Sequence, residues 1–188
     1  MKDLSLHILD LVQNSVAAKA THITVAIRAD RAAGILRISI EDNGCGMDGE
    51  LLRRVTDPFA TTRTTRRVGL GIPLMKASAE RSDGGLEITS EKGKGTRVDA
   101  SFMIGNIDRP PIGDIPGTIT DIIISEPDME LTLVLENGTE AFRLDSAEIR
   151  EKLGEVPITE YAVTNWMREY LSEGIKVIFG GVLDEIDR

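Results

Sequence analysis

The hydrophobic pattern of the chain switches between two periods. Leu4, Ile8, Leu11 and Val12 recur at helical spacing, with Leu9 and Val16 widening the stripe, so residues 4–20 are predicted to form an amphipathic helix. The period then drops to two. Ile23, Val25 and Ile27, and after them Leu36, Ile38 and Ile40, alternate with polar neighbours on either side of Ala33-Gly34, the pattern of a hairpin. Its second strand runs straight into Glu41-Asp42-Asn43-Gly44-Cys45-Gly46. Residues 47–68 hold no period and are rich in Thr and Arg, which predicts a long loop with room for one short helical piece. Loops of that length are usually functional or disordered. Gly69-Leu70-Gly71 opens a second helix, with Pro73 in its first turn. Two further strands, 86–90 and 97–103, are joined by Lys92-Gly93-Lys94-Gly95.

Pro110, Pro111 and Pro116 cluster between Gly105 and Gly117 and mark the expected boundary. A first domain of residues 1–104 and a linker of 105–117 are therefore expected, followed by a small α+β unit of 118–188. Within that unit the pattern predicts a strand over 118–125 and a hairpin turning at Asn137-Gly138. Two helices follow, the second stopping at Gly174, and a short strand over 175–179. The fold class expected is a two-layer α/β sandwich, a mixed sheet covered on one face by helices, with the small α+β unit appended.

Composition narrows the function classes. With 41% hydrophobic and 28% charged residues, the chain has the make-up of a soluble globular protein. A net charge of −9 argues against nucleic acid and against anionic membrane surfaces, both of which need clustered Lys and Arg. A single cysteine, Cys45, excludes an internal disulfide framework. The longest apolar runs are too short to span a bilayer, and Met1-Lys2-Asp3 does not open a signal peptide, so a cytoplasmic address is expected.

Four groups of residues can carry chemistry. Asp42, at the end of a strand, can accept a hydrogen bond from an exocyclic amine, and Gly44 and Gly46 let a flat base approach the backbone. An ordinary glycine-rich turn is the competing explanation. Gly69-Leu70-Gly71 at a helix N-terminus suits an anionic phosphate, or is simply a helix start. His7, Asp10 and Asn14 share one face of the first helix. Asn14 offers a carbonyl oxygen for Mg²⁺ and Asp10 a carboxylate to orient or deprotonate water, against the alternative of a solvated polar stripe, which is preferred for His7. Finally Arg53, Arg54, Arg63, Arg66 and Arg67 make either a solvated loop or a positive patch that draws in a nucleotide triphosphate.

The order of these pieces resembles the ATPase family shared by histidine kinases, type II topoisomerases, heat-shock chaperones and mismatch-repair ATPases. Gln13-Asn14-Ser15 through Ala20-Thr21-His22-Ile23 is similar to the family's asparagine box, and residues 42–47 to its first glycine box. Asp57-Pro58-Phe59-Ala60-Thr61-Thr62-Arg63 resembles the phenylalanine box of histidine kinases, Gly69-Leu70-Gly71-Ile72 the second glycine box, and Lys94-Gly95-Thr96 the last box. The resemblance covers residues 4–103. It implies that Asn14 holds Mg²⁺ against the phosphates, that Asp42 with Thr96 reads the adenine amine, and that Gly44 and Gly46 line the base. It also implies that Gly69, Leu70 and Gly71 meet the phosphates under a lid of residues 47–68, with Arg63 or a neighbouring arginine at the terminal phosphate.

Two positions depart from the family. Its hydrolytic members carry Glu four residues before the Asn, where this chain has Asp10; some histidine kinases carry Lys three residues after it, where this chain has Ala17. The helical hairpin that would bear a phosphoacceptor His is expected to be missing, and the large DNA-path domains of topoisomerases likewise. Slow ATP hydrolysis coupled to control of a partner protein through residues 118–188 is the expected function. A serine kinase of the anti-sigma-factor type and a non-catalytic nucleotide-binding regulator are the alternatives. Partner and oligomeric state are not legible.

Overall fold

The computed structural model describes residues 2–55 and 70–180. Helix α1 (Leu4–Ala17) leads into strands β1 (His22–Asp30) and β2 (Ile35–Asp42), then a short helix α2 (Gly49–Arg54), helix α3 (Gly71–Arg81) and strands β3 (Gly85–Glu91) and β4 (Gly95–Met103). Helix α4 (Ile115–Ser125), strands β5 (Glu130–Glu136) and β6 (Ala141–Asp145), and helices α5 (Ser146–Leu153) and α6 (Tyr161–Phe179) complete the order.

One six-stranded sheet runs β3-β4-β2-β1-β5-β6. All neighbours are antiparallel except β1 and β5, which pair in parallel from His22 opposite Glu130 to Arg28 opposite Glu136. The mixed sheet expected from the alternating runs is thus present, and the C-terminal hairpin continues it beyond β1. Alternation decides which face is buried. Ile23, Val25 and Ile27 of β1, Leu36 and Ile38 of β2, Phe102 of β4 and Leu131, Leu133 and Leu135 of β5 are all fully buried beneath the helices. The opposite face is polar, with Arg28 bonded to Glu136, Arg97 to Glu41 and Asp99, and Ser39 to Asp99.

Helix α1 begins where Asp3 Oδ1 accepts the Leu6 N–H at 3.0 Å, and buries Leu4, Ile8, Leu11 and Val12, the stripe its periodicity predicts. Residues 105–117, expected as a linker, lie against the start of α1: Leu4 and Ser5 donate their N–H groups to the carbonyls of Pro111 and Ile112, both at 2.9 Å.

Three local expectations are corrected. The segment 118–125 is not a strand but the body of α4. Asp114 caps its first turn by accepting the Gly117 N–H at 2.9 Å, Pro116 sits in that turn, and Ile115, Ile119, Ile122 and Ile123 fall on one buried face. Gly174 does not stop the last helix. It lies inside α6, where a methyl group would stand 2.6 Å from the Phe142 ring, so glycine serves there for close packing on β6. Residues 175–179 accordingly continue the helix instead of forming a strand. Among the described residues no helix is long and apolar enough to cross a membrane.

Candidate functional site

Residues of the expected pocket converge at one end of the sheet. Asp42 closes β2, and its carboxylate is held at both oxygens: Oδ1 accepts the Gly44 N–H at 2.9 Å and Oδ2 accepts the Ser15 hydroxyl at 2.7 Å. Ser15 follows Asn14 on α1, so the helix and the strand end are tied together through this carboxylate. Thr96 stands opposite Asp42 on β4, with its hydroxyl 3.0 Å from that of Ser90. Ser90 also donates to the Gly95 carbonyl at 2.9 Å and accepts the Met47 N–H at 2.8 Å.

The loop after Asp42 is fixed by its backbone. Asn43 Oδ1 accepts the N–H groups of Thr21 at 2.9 Å and His22 at 3.0 Å. Cys45 donates its N–H to the Ala18 carbonyl and accepts one from Gly93, and its thiol is exposed and free. Gly46 takes a positive φ of 61°, and a methyl group there would lie 2.0 Å from the Glu91 carbonyl oxygen, so no larger residue fits this crossing.

A second cluster forms where α3 starts. Leu70 occupies its N-cap position with no side-chain cap and is 56% exposed. Gly71 is buried against α1; a methyl group on it would lie 3.0 Å from Asp10 Cβ and 3.6 Å from Asn14 Nδ2. The first turn of α3 therefore lies beside Asp10 and Asn14. Asn14 Nδ2 is buried and has no hydrogen-bond partner among the described residues. Such an orphan costs roughly 1–3 kcal/mol, which a polar ligand would recover. Among the described residues no three His, Cys, Asp or Glu side chains gather as a metal cage. A divalent ion here would take its protein ligand from Asn14 and the remainder from phosphate and water, the usual arrangement for Mg²⁺. The donor set fits a nucleotide–metal complex. Arg63 and Gly69, with the phenylalanine-box segment, Arg66 and Arg67, lie outside the described residues.

His7 is a correction. It is not part of a solvated stripe but fully buried between α1 and α3, with Nε2 3.2 Å from the Ser78 hydroxyl and Nδ1 without a partner among the described residues. Burial pushes its pKa down to about 4, with the Arg81 charge reinforcing and the Asp3 charge opposing. In the unfolded chain His7 binds a proton below about pH 6.5, while in the folded chain it stays neutral down to about pH 4. Stability is expected to fall by roughly 3 kcal/mol as the pH drops through that window. Urea midpoints at pH 7 and pH 4.5 check this: the native chain should lose more than His7→Gln, which keeps a partner for Ser78 but does not titrate.

Ser15 and Ser90 escaped sequence reasoning. Serine is too common at strand and helix positions to stand out, and only the cross-element hydrogen bonds reveal them.

The model of the histidine kinase-, DNA gyrase B- and HSP90-like ATPases matches residues 2–105, more than half of the chain. The chain belongs to this family. The ATPase-family region also aligns with the sensor protein kinase FleS of Pseudomonas aeruginosa, 39% identical over 89 residues, covering 47% of this chain and 22% of that protein. Sporulation kinase C of Bacillus subtilis is 33% identical over 88 residues, covering 47% of this chain and 20% of that one. The chain thus spans about a fifth of the length of these relatives. Among solved structures, the N-terminal domain of a DNA repair protein superposes with a TM-score of 0.52 at 17% identity, over 76% of this chain and 52% of the other. That likeness is one of fold. Its span exceeds the family-matched residues and so reaches into the C-terminal part of this ATPase-family chain. The region is a histidine-kinase-like, ATP-binding domain.

Proposed function

We propose that the protein is an ATP-gated switch that hydrolyses ATP slowly and controls a partner protein through residues 118–188. Asp42 accepts the adenine amine, with Thr96 beside it, and Gly44 and Gly46 lie along the base. Gly69, Leu70 and Gly71 present backbone N–H groups to the phosphates, and Arg63 meets the terminal one. Asn14 holds Mg²⁺, which when bound screens the phosphate charge and polarises the terminal phosphoryl group. Asp10 orients a water molecule and takes its proton as the water oxygen bonds to the terminal phosphorus and the bond to the leaving ADP breaks.

The observation that carries this reading is the packing of Gly71 against Asp10 and Asn14, which sets a helix start beside a carboxylate and an unspent amide. The shorter reach of Asp10 compared with the family's glutamate supports slow turnover. Slow turnover suits a switch, because the bound state then persists long enough to act on a partner.

Asp10→Asn is expected to bind ATP with Mg²⁺ within about twofold of the native affinity while phosphate release falls roughly 100-fold, the usual scale of a lost general base. Release of labelled terminal phosphate by the two purified proteins measures it. Undiminished turnover in the variant would exclude Asp10 as the base. The kinase names of the relatives favour one second reading, transfer of the terminal phosphate to a protein. Label appearing on a partner, with little free phosphate, would select that reading.

A further inference from the structure

At the opposite edge of the sheet, two cavities open side by side where α6 crosses β6. The larger, about 490 Å³, is walled by Leu144, Ile149, Leu153, Val163, Trp166 and Tyr170. The smaller, about 430 Å³, has Phe142, Tyr170, Gly174, Val177 and Ile178 as its floor, with Glu140 and Glu173 beside them. Tyr170 belongs to both. Its ring stacks on Trp166, centroids 5.3 Å apart, and tilts against Phe142 at 4.9 Å, so a row of three aromatic rings joins the cavities. Both size and lining match ligand sites, which are mostly apolar with a few polar groups.

This face is open to solvent. Trp166 is 48% exposed and Val177 59%, large apolar side chains on one surface of α6. The local charges are unequal. Arg143 is held by Asp145 and Glu148, and Arg168 by Asp121. Lys152, in the wall of the larger cavity, has no ion pair among the described residues, and neither do Glu140 and Glu173, the charged groups of the smaller cavity, so the uncompensated negative charge is confined to the smaller one. An apolar floor of aromatic rings beside unneutralised carboxylates suits a cation carried on an aliphatic stem. Arginine suits it best, because the guanidinium stacks on rings while its N–H groups reach carboxylates. A second copy of this chain fits poorly: at −9 it would bring like charge to an acidic face.

Length sets the spacing of the occupant. Trp166 to Val177 covers about 16 Å of helix, which an extended segment crosses in about five residues. We infer that this groove docks an extended segment of a partner protein carrying a large apolar side chain for the larger cavity. About two to four residues away, the same segment carries an arginine or lysine for the Glu140–Glu173 cavity. The inner face of α6 packs on α4, and α4 packs on α1, the helix bearing Asp10 and Asn14. A segment on α6 thus has a continuous helical path to the nucleotide site. That last step rests on the switch reading; the docking itself does not.

Random twelve-residue peptides displayed on phage, selected on the immobilised full chain without nucleotide, provide the test. Enriched peptides should pair a large apolar residue with Arg or Lys at the stated spacing. By fluorescence anisotropy their Kd should rise at least about tenfold for Trp166→Ala and for Glu140→Lys/Glu173→Lys, with melting curves confirming that the variants fold. Exchanging the peptide's basic residue for Glu should restore binding to the double-lysine variant. Enrichment of nothing, or of peptides indifferent to the charge reversal, overturns the proposal. So does sedimentation showing a dimer that Trp166→Ala breaks, which would make the occupant a second copy. Because the readout needs no ATP, failure of the docking and failure of the nucleotide reading remain separate results.

Discussion

Asp42→Ala is expected to raise the dissociation constant for ATP by about 10- to 100-fold, the cost of leaving an amine unpaired in a closed pocket. The effect has two sources. On the proposed reading the adenine amine loses its acceptor; the Ser15 hydroxyl and Gly44 N–H lose theirs, so the loop after β2 slackens at the same time. Asp42→Asn separates the two, since it keeps one acceptor oxygen for this network while presenting an amide where the carboxylate was. Titration of the purified variants with ATP gives the affinities, and thermal melts show how much of the change is structural. Native affinity in Asp42→Ala would remove Asp42 from base recognition.

A comparable loss, this time in stability, is expected from Gly95→Ala. Gly95 has φ of 117°, and a methyl group on it would lie 1.9 Å from the Asp42 carbonyl oxygen and 3.0 Å from Asn43 Cα. Both obstacles are backbone, at the place where β4 begins its pairing with β2, so neither can rotate away. About 3 kcal/mol or more should be lost, and the melting temperature should drop by about 6–12 °C. Gly93→Ala is the control two residues earlier. Its φ is 82° but nothing lies within 4 Å of the added carbon, so it carries only the left-handed strain of about 1–2 kcal/mol. Equal melting temperatures for the two variants would show that the close approach at Gly95 is relieved at little cost.

The elements that sequence predicts correctly are those with one buried face and a clean period. The alternation of Ile23, Val25 and Ile27 cannot be satisfied by a helix, and the stripe on α1 cannot be satisfied by a strand. The segment 118–125 misled because five of the six residues in Ile-Thr-Asp-Ile-Ile-Ile are β-branched, a composition typical of strands; its cap at Asp114 and its four buried isoleucines outweigh that preference. Gly174 read as a helix end because glycine is common there, whereas its role is set by Phe142, which is 32 residues away in the chain and invisible to local pattern. The sequence placed Asn14 on the first helix and Asp42 at a strand end, and the fold has them there, because each position follows from the period of the element that carries it. His7 was not, because its burial depends on α3 packing over it. Ser15 and Ser90 act through partners on other elements.

The parallel pairing of β1 with β5 bears on how the molecule is assembled. His22 and Glu130 are 108 positions apart, yet their strands lie side by side in the middle of the sheet. During synthesis β1 can pair with β2 almost at once, but its other edge stays open until the ribosome has released β5. For that interval a row of unpaired N–H and C=O groups lies bare beside the site's first strands, the kind of edge to which other chains add. Closing so long a loop is also slow. The nucleotide-binding half therefore completes its sheet only with a strand borrowed from the other half.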